Sequence, residues 1–496
     1  MPEHYRTLIV ILILATSIFT YFKKHILLIC NYQTFKTWRN YWLIFTLTAF
    51  LSNNFWIFML LAGILLFTIK PSHNRVALFF LLLFAIPPFA GQIPGFGLVN
   101  YIADLNHIRL LALTLLIPTL FTLRQQPYYV SFGKLLPDKI LALYLFLITV
   151  LYLRDTTITD ALRQMLYLLI DVFLPYVVVS RYVNTMQKFK ETLLAFVIAG
   201  LIMALIGSFE LIRHWMLYAP LDDALGVKWG LSGYQGRSDF LRASASAGHP
   251  IVLGYLMTVA IGFYLFLQNA LPKNLKTKAG GFVFFSGLIA PLSRGPWVGA
   301  GVLIVTFILT GRNALKKLVA LLAIFFLSLP IISVIPNGDK IINLLPFIGQ
   351  TEKENIEYRE NLLDVSIIVI KKNWAFGSVN YMESPEMQVM IQGQGIIDIV
   401  NTYIRVALSS GLIGLALFVS FFFVTLKSIY SGMKFETNQN SDQYLLGRVL
   451  LSTLISILFI IFTVSSITFV PIVYWSIAAL GVAYYQMMRQ MRDTKP

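Results

Sequence analysis

The run TYIRVALSSGLIGLALFVSFFFVTL, residues 402–426, carries one charge, Arg405, over a length that exceeds the about 20 residues a helix needs to cross a bilayer core. It reads as a transmembrane helix. What precedes it is of another kind: residues 336–400 form the longest interval without a membrane-length apolar run and hold nine of the chain's 23 acidic residues. Turn chemistry (PNGD, Pro336–Asp339) opens this interval. Thr351 and Glu354 then read as a capping box. The helix it starts runs through Tyr358, Arg359, Leu362, Leu363 and Ile367 to Lys371 and Lys372, whose charges suit a C-terminus. Beyond Trp374 come Gly377, Gly393 and Gly395, and then Asp398, Asn401 and Arg405 at the entry to the apolar run. A polar island pinned between spans is a place for function, because loops on a rigid scaffold carry working residues.

The apolar signature repeats along the whole chain. With 57% hydrophobic residues, 12% charged and a mean hydropathy of +0.73, the class is an all-α polytopic integral membrane protein. Runs begin at Thr7–Tyr21 and recur at Tyr41–Leu51, Phe55–Thr68, Val76–Phe89, Leu110–Leu123, Ile140–Leu153, Met165–Val179 and Thr192–Ile212. They continue at Pro250–Leu267, Gly280–Leu292, Trp297–Leu309, Leu318–Ile335, Thr402–Leu426, Leu445–Phe469 and Ile472–Met487. About 12 to 15 transmembrane helices follow. The first run reads as a retained span or anchor, since no small-residue cleavage site precedes Lys23 and Lys24.

Four regions result: 1–40, an N-terminal span and linker; 41–335, a transmembrane bundle with an outer loop at 213–249; 336–400, a large periplasmic loop; and 401–496, the C-terminal helices. Neither an internal repeat nor a broken helix is visible in the sequence.

The net charge of +16 is spread in short clusters between the apolar runs, which fits the positive-inside rule and excludes a nucleic-acid groove. Lys134/Lys139, Arg181/Lys188/Lys190, Lys273/Lys276/Lys278, Arg312/Lys316/Lys317, Lys427/Lys434 and Arg489/Arg492/Lys495 fall on one side, the cytoplasm. The long intervals 213–249 and 336–400 then face outward. The N-terminal orientation stays open, because one span more or less inverts it. The single cysteine, Cys30, excludes an internal disulfide and any cysteine-built metal cage.

No P-loop, GxGxxG, HExxH or Asp-x-Asp motif is present, so nucleotide-driven chemistry is not expected. Against the positive-inside trend stand Arg237, Arg242 and His249 in RSDFLRASASAGHP, Arg294 in LSRGPW, Arg359 in EYRENLL, and Arg405. A planar guanidinium suits two-point contact with phosphate, and several together make a pyrophosphate cradle; the competing reading is local ion pairs, such as Arg242 with Asp239. Arg405 lies four residues after Asn401 and shares its helical face. Asp398 joins them if the helix starts early. Such a trio can orient and deprotonate a sugar hydroxyl, or Asp398 and Asn401 can simply cap the helix. His249 before Pro250 reads first as a cap. Asp171, in LLIDVFLP, costs about 2.5–3.5 kcal/mol at mid-membrane and calls for a partner or a proton.

RASASAGHPIVLGY, then LSRGPWVGAGVL, then an outer loop with YRENLL, a WAFGSVNY glycine turn and VNTYIRVALSSGLIGLALF together resemble the O-antigen ligase and O-antigen polymerase superfamily. The resemblance runs from about Tyr41 to the C-terminus and is densest over Arg242–Phe418. It implies a membrane glycosyltransferase of the class C type, acting at the periplasmic face of a bacterial inner membrane without nucleotide, metal or other cofactor. The implied partners are a polyprenyl-pyrophosphate-linked glycan donor, a glycan acceptor, membrane lipids and a chain-length regulator, with no nucleic acid. Arg242, Arg294 and Arg359 would bind the pyrophosphate. Where ligases of the family carry His-Asn, this chain has Val400-Asn401, which tilts the expectation towards a polymerase of exopolysaccharide repeat units with Asp398 as substitute base. A ligase and a lipid-linked oligosaccharide flippase are the alternatives, the flippase requiring basic residues along a path through the membrane.

Overall fold

The computed structural model describes the chain apart from residues 71–72, 98, 128, 229–235, 238–239, 335–352, 393–394 and 495–496. The Pro336–Asp339 turn, Thr351 of the capping box, Asp239 and Gly393 lie outside the described residues. The rest is 73% helical.

In chain order the first helices are α1 (Glu3–Tyr21), α2 (Tyr32–Leu51), α3 (Phe55–Phe67) and α4 (Arg75–Leu83). A hairpin follows, β1 (Ala90–Pro94) with β2 (Tyr101–Asn106), and then α5 (His107–Arg124), α6 (Leu136–Asp155), α7 (Ile158–Tyr182) and α8 (Met186–Arg213). A short α9 (Pro220–Leu225) and a second small hairpin, β3 (Gly236–Arg237) with β4 (Phe240–Leu241), lead to α10 (Pro250–Leu267), α11 (Leu275–Ile289), α12 (Arg294–Leu309) and α13 (Ala314–Val334). The polar interval contributes α14 (Lys353–Lys372), and the chain closes with α15 (Thr402–Lys434), α16 (Asp442–Ile460) and α17 (Val470–Asp493). Among the described residues nine helices are long and apolar enough to cross a membrane, and α3 and α12 are shorter apolar helices. The sequence figure of about 12 to 15 counted such shorter runs as spans.

Two helices do not run uninterrupted, contrary to the sequence reading. The run Val76–Phe89 is helical only to Leu83, and Pro87-Pro88 just beyond cannot continue the ladder. Carbonyls left at this end find side chains from afar: Leu83 is met by His107 Nε2 (2.9 Å), Phe84 by Ser246 Oγ (2.6 Å) and Ala85 by the Tyr218 hydroxyl (3.1 Å). The second interruption is in α15, where Gly411 sits at φ 65°, ψ −173°. There the WAFG turn slots into the gap. Leu412 and Ile413 N–H donate to the Trp374 and Ala375 carbonyls (2.8 and 3.2 Å), and Ser378 N–H donates to the Leu408 carbonyl (3.0 Å). A backbone polar group inside a membrane protein has to be paired, and here the WAFG turn of the preceding loop pairs those of the helix break.

The bundle has two chemically distinct ends. At one, Lys190 pairs with Asp442 (2.8 Å), and Arg181 meets Asp138 (2.5 Å), which also accepts from the Tyr176 hydroxyl (2.7 Å). At the other, Glu3 accepts from Trp215 Nε1 (3.2 Å) and Asn53 Nδ2 donates to the Tyr5 hydroxyl (2.9 Å). Helix α1 therefore starts at the end where α8 finishes. It finishes at the lysine-rich end, where Lys276 Nζ donates to the Tyr21 carbonyl (3.4 Å). That resolves the N-terminal orientation relative to the other spans.

Candidate active site

Arg242 follows β4 and reaches the loop before α12, with Nε donating to the Pro291 carbonyl (3.2 Å) and Nη2 to Ser293 Oγ (3.0 Å). Arg294, the next residue, opens α12 and is half-buried. The loop carrying Arg242 is fixed from below by Glu210. This fully buried carboxylate accepts from Ser244 and Ala245 N–H (3.0 and 2.8 Å) and from Leu217 N–H (2.9 Å). The serines and small residues of ASASAG thus thread between α8 and the end of α4, and His249 closes the turn. Its Nδ1 accepts from Ile251 N–H (3.2 Å), capping α10. Burial, and next to it the charge of Arg242, pushes the His249 imidazole down from 6.5 to about 4.

Gly295 lies against Thr463 in the segment joining α16 to α17, so closely that a Cβ on the glycine would stand 2.7 Å from Thr463 Oγ1. That segment ties the arginines to the second half of the site. Ser465 Oγ contacts the Asp398 carboxylate (2.8 Å) and the Ile399 carbonyl (2.9 Å), Ser466 supplies the carbonyl that Arg405 Nη1 donates to (3.1 Å), and Thr402 N–H donates to the Ile461 carbonyl (2.9 Å). Burial pushes the Tyr381 phenol up, and the charge of Arg405 pulls it back.

The single helical face expected for Asp398, Asn401 and Arg405 does not hold for Asp398. Helix α15 begins at Thr402, and Asn401 is its N-cap, with Oδ1 accepting from Tyr403 and Ile404 N–H (2.9 and 3.2 Å). Asp398 precedes the helix in a tight turn, with Val400 N–H donating to its carbonyl (3.1 Å), and is held from the other side by Tyr358, whose hydroxyl lies 3.2 Å from both its N–H and its carbonyl. No ion pair joins Asp398 to Arg405 among the described residues; they meet through Ser465 and Ser466.

Between α14, the first turns of α15 and Phe462 runs a groove of about 480 Å³. Leu362, Leu363, Ile404 and Leu415 make its apolar walls, and Arg359, Asn401 and Thr463 also line it. The amphipathic α14 thus turns its leucines to the groove with an arginine in the same wall.

The remaining candidates lie elsewhere. Asp171 has the partner its depth demanded: Arg109 Nη2 and Nε contact its Oδ2 (2.8 and 3.1 Å) while the guanidinium stacks 3.6 Å over Tyr167. Arg237 pairs by its backbone with Phe240. The sequence reading missed Glu210, Ser465 and the pair Arg154–Asp155. That pair holds the WAFGSVNY turn, Arg154 Nη2 donating to the Gly377 carbonyl (2.7 Å) and Asp155 accepting from Val379 N–H (2.8 Å). An acid ending a long apolar run, as Glu210 does in SFELIR, was the available signal. Ser465 and Asp155 carried none. Among the described residues no group of three or more His, Cys, Asp or Glu side chains could hold a metal ion.

Chemically, the arrangement offers guanidinium groups for an anion, an apolar trough for an acyl or prenyl chain, and a carboxylate for a proton. Residues 279–419 match the family model described as O-antigen ligase, which supports the O-antigen ligase and polymerase superfamily for this chain. The match contains Arg294, Arg359, Asp398, Asn401, Arg405 and the helix break; Arg242, His249 and Asp171 precede it. No curated protein matches the chain. The protein is a multi-pass membrane protein in which residues 279–419 are similar to the O-antigen ligase family.

Proposed function

With an O-antigen ligase-type domain as the premise, we propose that the protein polymerises polyprenyl-pyrophosphate-linked oligosaccharide repeat units at the outer, periplasmic face of a bacterial inner membrane. The carrying observation is the meeting of three elements on the segment 461–466. The loop 291–295, which Arg242 hydrogen-bonds and Arg294 belongs to, lies against it at Thr463; Asp398 contacts it at Ser465; and Phe462 and Thr463 line the apolar groove with Arg359. A prenyl chain fits the groove and its pyrophosphate the arginines. An acceptor hydroxyl attacks the anomeric carbon, the bond from that carbon to the pyrophosphate oxygen breaks, and the prenyl pyrophosphate leaves with the electron pair. Asp398 takes the hydroxyl proton. Arginine in place of lysine matters here because a two-point contact can tighten as charge builds on the leaving oxygen.

The test is replacement of Arg242, Arg294 and Arg359 singly by lysine. Polymer is expected to fall about five- to thirtyfold, as for a loss of about 1–2 kcal/mol of transition-state binding. Single lipid-linked repeat units should accumulate while the membrane level of the protein holds. Unchanged polymer in all three variants assigns the arginines to structural contacts. The description of the family model favours a second reading, transfer of a finished glycan to a lipid or protein acceptor. Accumulation of long lipid-linked polymer, in place of single units, in a deletion strain would select it.

A further inference from the structure

A second cleft opens at the same end of the bundle, away from the arginines, and it is polar where the groove is apolar. It measures about 660 Å³ and lies between the α2–α3 turn, the β1–β2 hairpin and α9. Asn53 and Trp56 form one wall, Gln92 and Asp104 the second, and Asp223 and Lys228 the third. We infer that this cleft is a glycan-binding site that holds the sugar chain of the acceptor away from the site of transfer. The inference rests on the function proposed above for the glycan and for the elongation read out in cells.

The lining is that of a carbohydrate site. Trp56 is 42% exposed and offers a flat indole face for the C–H side of a sugar ring. Carboxamides and carboxylates offer paired planar donors and acceptors that match neighbouring hydroxyls. The Gln92 carboxamide and the Asp223 carboxylate hydrogen-bond to no other described residue, so both are available to a ligand, while the Gln92 backbone is paired opposite Asp104 in the hairpin. The volume is in the range of ordinary ligand sites, about 300–1,000 Å³, and suits a few sugar residues. Two carboxylates against one lysine disfavour a polyanion and fit a neutral or amino-sugar glycan.

The walls are also held in place. A Cβ on Gly91 would come 2.4 Å from the Phe55 ring, so hairpin and α3 are in direct contact. Asp104 accepts from the Tyr167 hydroxyl (3.0 Å). Arg163 donates to the Tyr101 and Ile102 carbonyls (2.7 and 3.1 Å), and Arg109 Nη1 to the Asp104 carbonyl (2.5 Å). Asn54 caps α3 through Trp56 and Ile57 N–H (2.9 and 3.1 Å), which fixes the backbone that carries the indole. A polar cleft with this much support is preorganised for a ligand.

The experiment is saturation-transfer difference NMR on the full-length protein in detergent, with oligosaccharides released by partial acid hydrolysis from the producing strain's own extracellular polysaccharide. Wild type should transfer saturation to the sugar protons. Asp223→Asn with Gln92→Ala, and separately Trp56→Ala, should lose most of that transfer, and in cells the polymer should shorten several-fold. Asp223→Asn alone is close to isosteric and controls for folding. Equal transfer and equal chain length in all variants overturn the inference. So does an effect confined to Trp56→Ala, which would make the indole a membrane-interface anchor. Loss of binding in the cleft variants beside unchanged polymer in the arginine variants would leave the cleft standing and discard the transfer site. The reverse pattern discards the cleft alone.

Discussion

At the scale of single residues, Asn401 and Asp398 divide two jobs that the sequence left joined. The side-chain oxygen of Asn401 is spent on capping α15, so replacement by alanine should cost about 1 kcal/mol of stability, read as a lower melting temperature in detergent. Asp398→Asn keeps an acceptor for Ser465 yet cannot take a proton. If Asp398 is the base, polymer synthesis should fall about 10²–10⁴-fold at unchanged protein level; full activity would remove it from the mechanism. His249 gives a pH test. Its imidazole is lowered from 6.5 to about 4 in the folded protein, so between those values the unfolded chain binds more protons and stability rises with pH. That contribution is complete above 6.5 and absent below about 4. His249→Asn, which retains a capping acceptor, should flatten the slope of melting temperature across this window; an unaltered slope would refute the assignment. Arg242, Arg294 and Arg359 could be singled out in the sequence as candidates because they stand against the charge pattern of the loops. Glu210 and Ser465 were not, since a buried acid or a loop serine acquires its role only from residues far along the chain.

At the scale of elements, the helix Lys353–Lys372 was readable, its closing lysines falling where the charges suggested. The break in α15 was not, because glycine in a membrane helix is unremarkable in sequence and the carbonyls that complete this one come from the WAFG turn. Gly411→Ala should therefore be far more damaging than an ordinary glycine replacement. A side chain at φ 65°, ψ −173° costs about 1–3 kcal/mol in backbone strain alone, and its Cβ would stand 2.3 Å from the Ala375 carbonyl carbon. The expected outcome is loss of folded protein from detergent extracts. Gly301 is the comparison: nothing lies within 4 Å of a Cβ there, so Gly301→Ala should be tolerated. Equal yields of the two variants would show that the turn does not clasp the helix.

At the scale of the molecule, the distribution of lysine and arginine already separated the two ends, and the contacts of Lys190, Arg181 and Lys276 agree with it. The span count was less legible, since an apolar run of fixed hydropathy can be a crossing helix, a short one, or the half-helix Arg75–Leu83. Cysteines at Val389 and at Lys316, in a background lacking Cys30, should divide cleanly: the first reacts with a membrane-impermeant thiol reagent in intact spheroplasts, the second only after permeabilisation. Labelling of Lys316→Cys alone would invert the protein and place the arginines in the cytoplasm. Cys30 itself is buried, with its thiol pushed up to about 12 by burial and then by Glu191, so wild type should stay unlabelled. The clasp at Gly411 also bears on how such a chain is made. The part of α15 before the break is too short to cross a bilayer core, and its ladder is completed by a turn that leaves the ribosome earlier. If the loop faces outward, as the proposed function requires, its export and the seating of the next span are one event in biosynthesis: the loop must be across and folded to receive the helix that follows it.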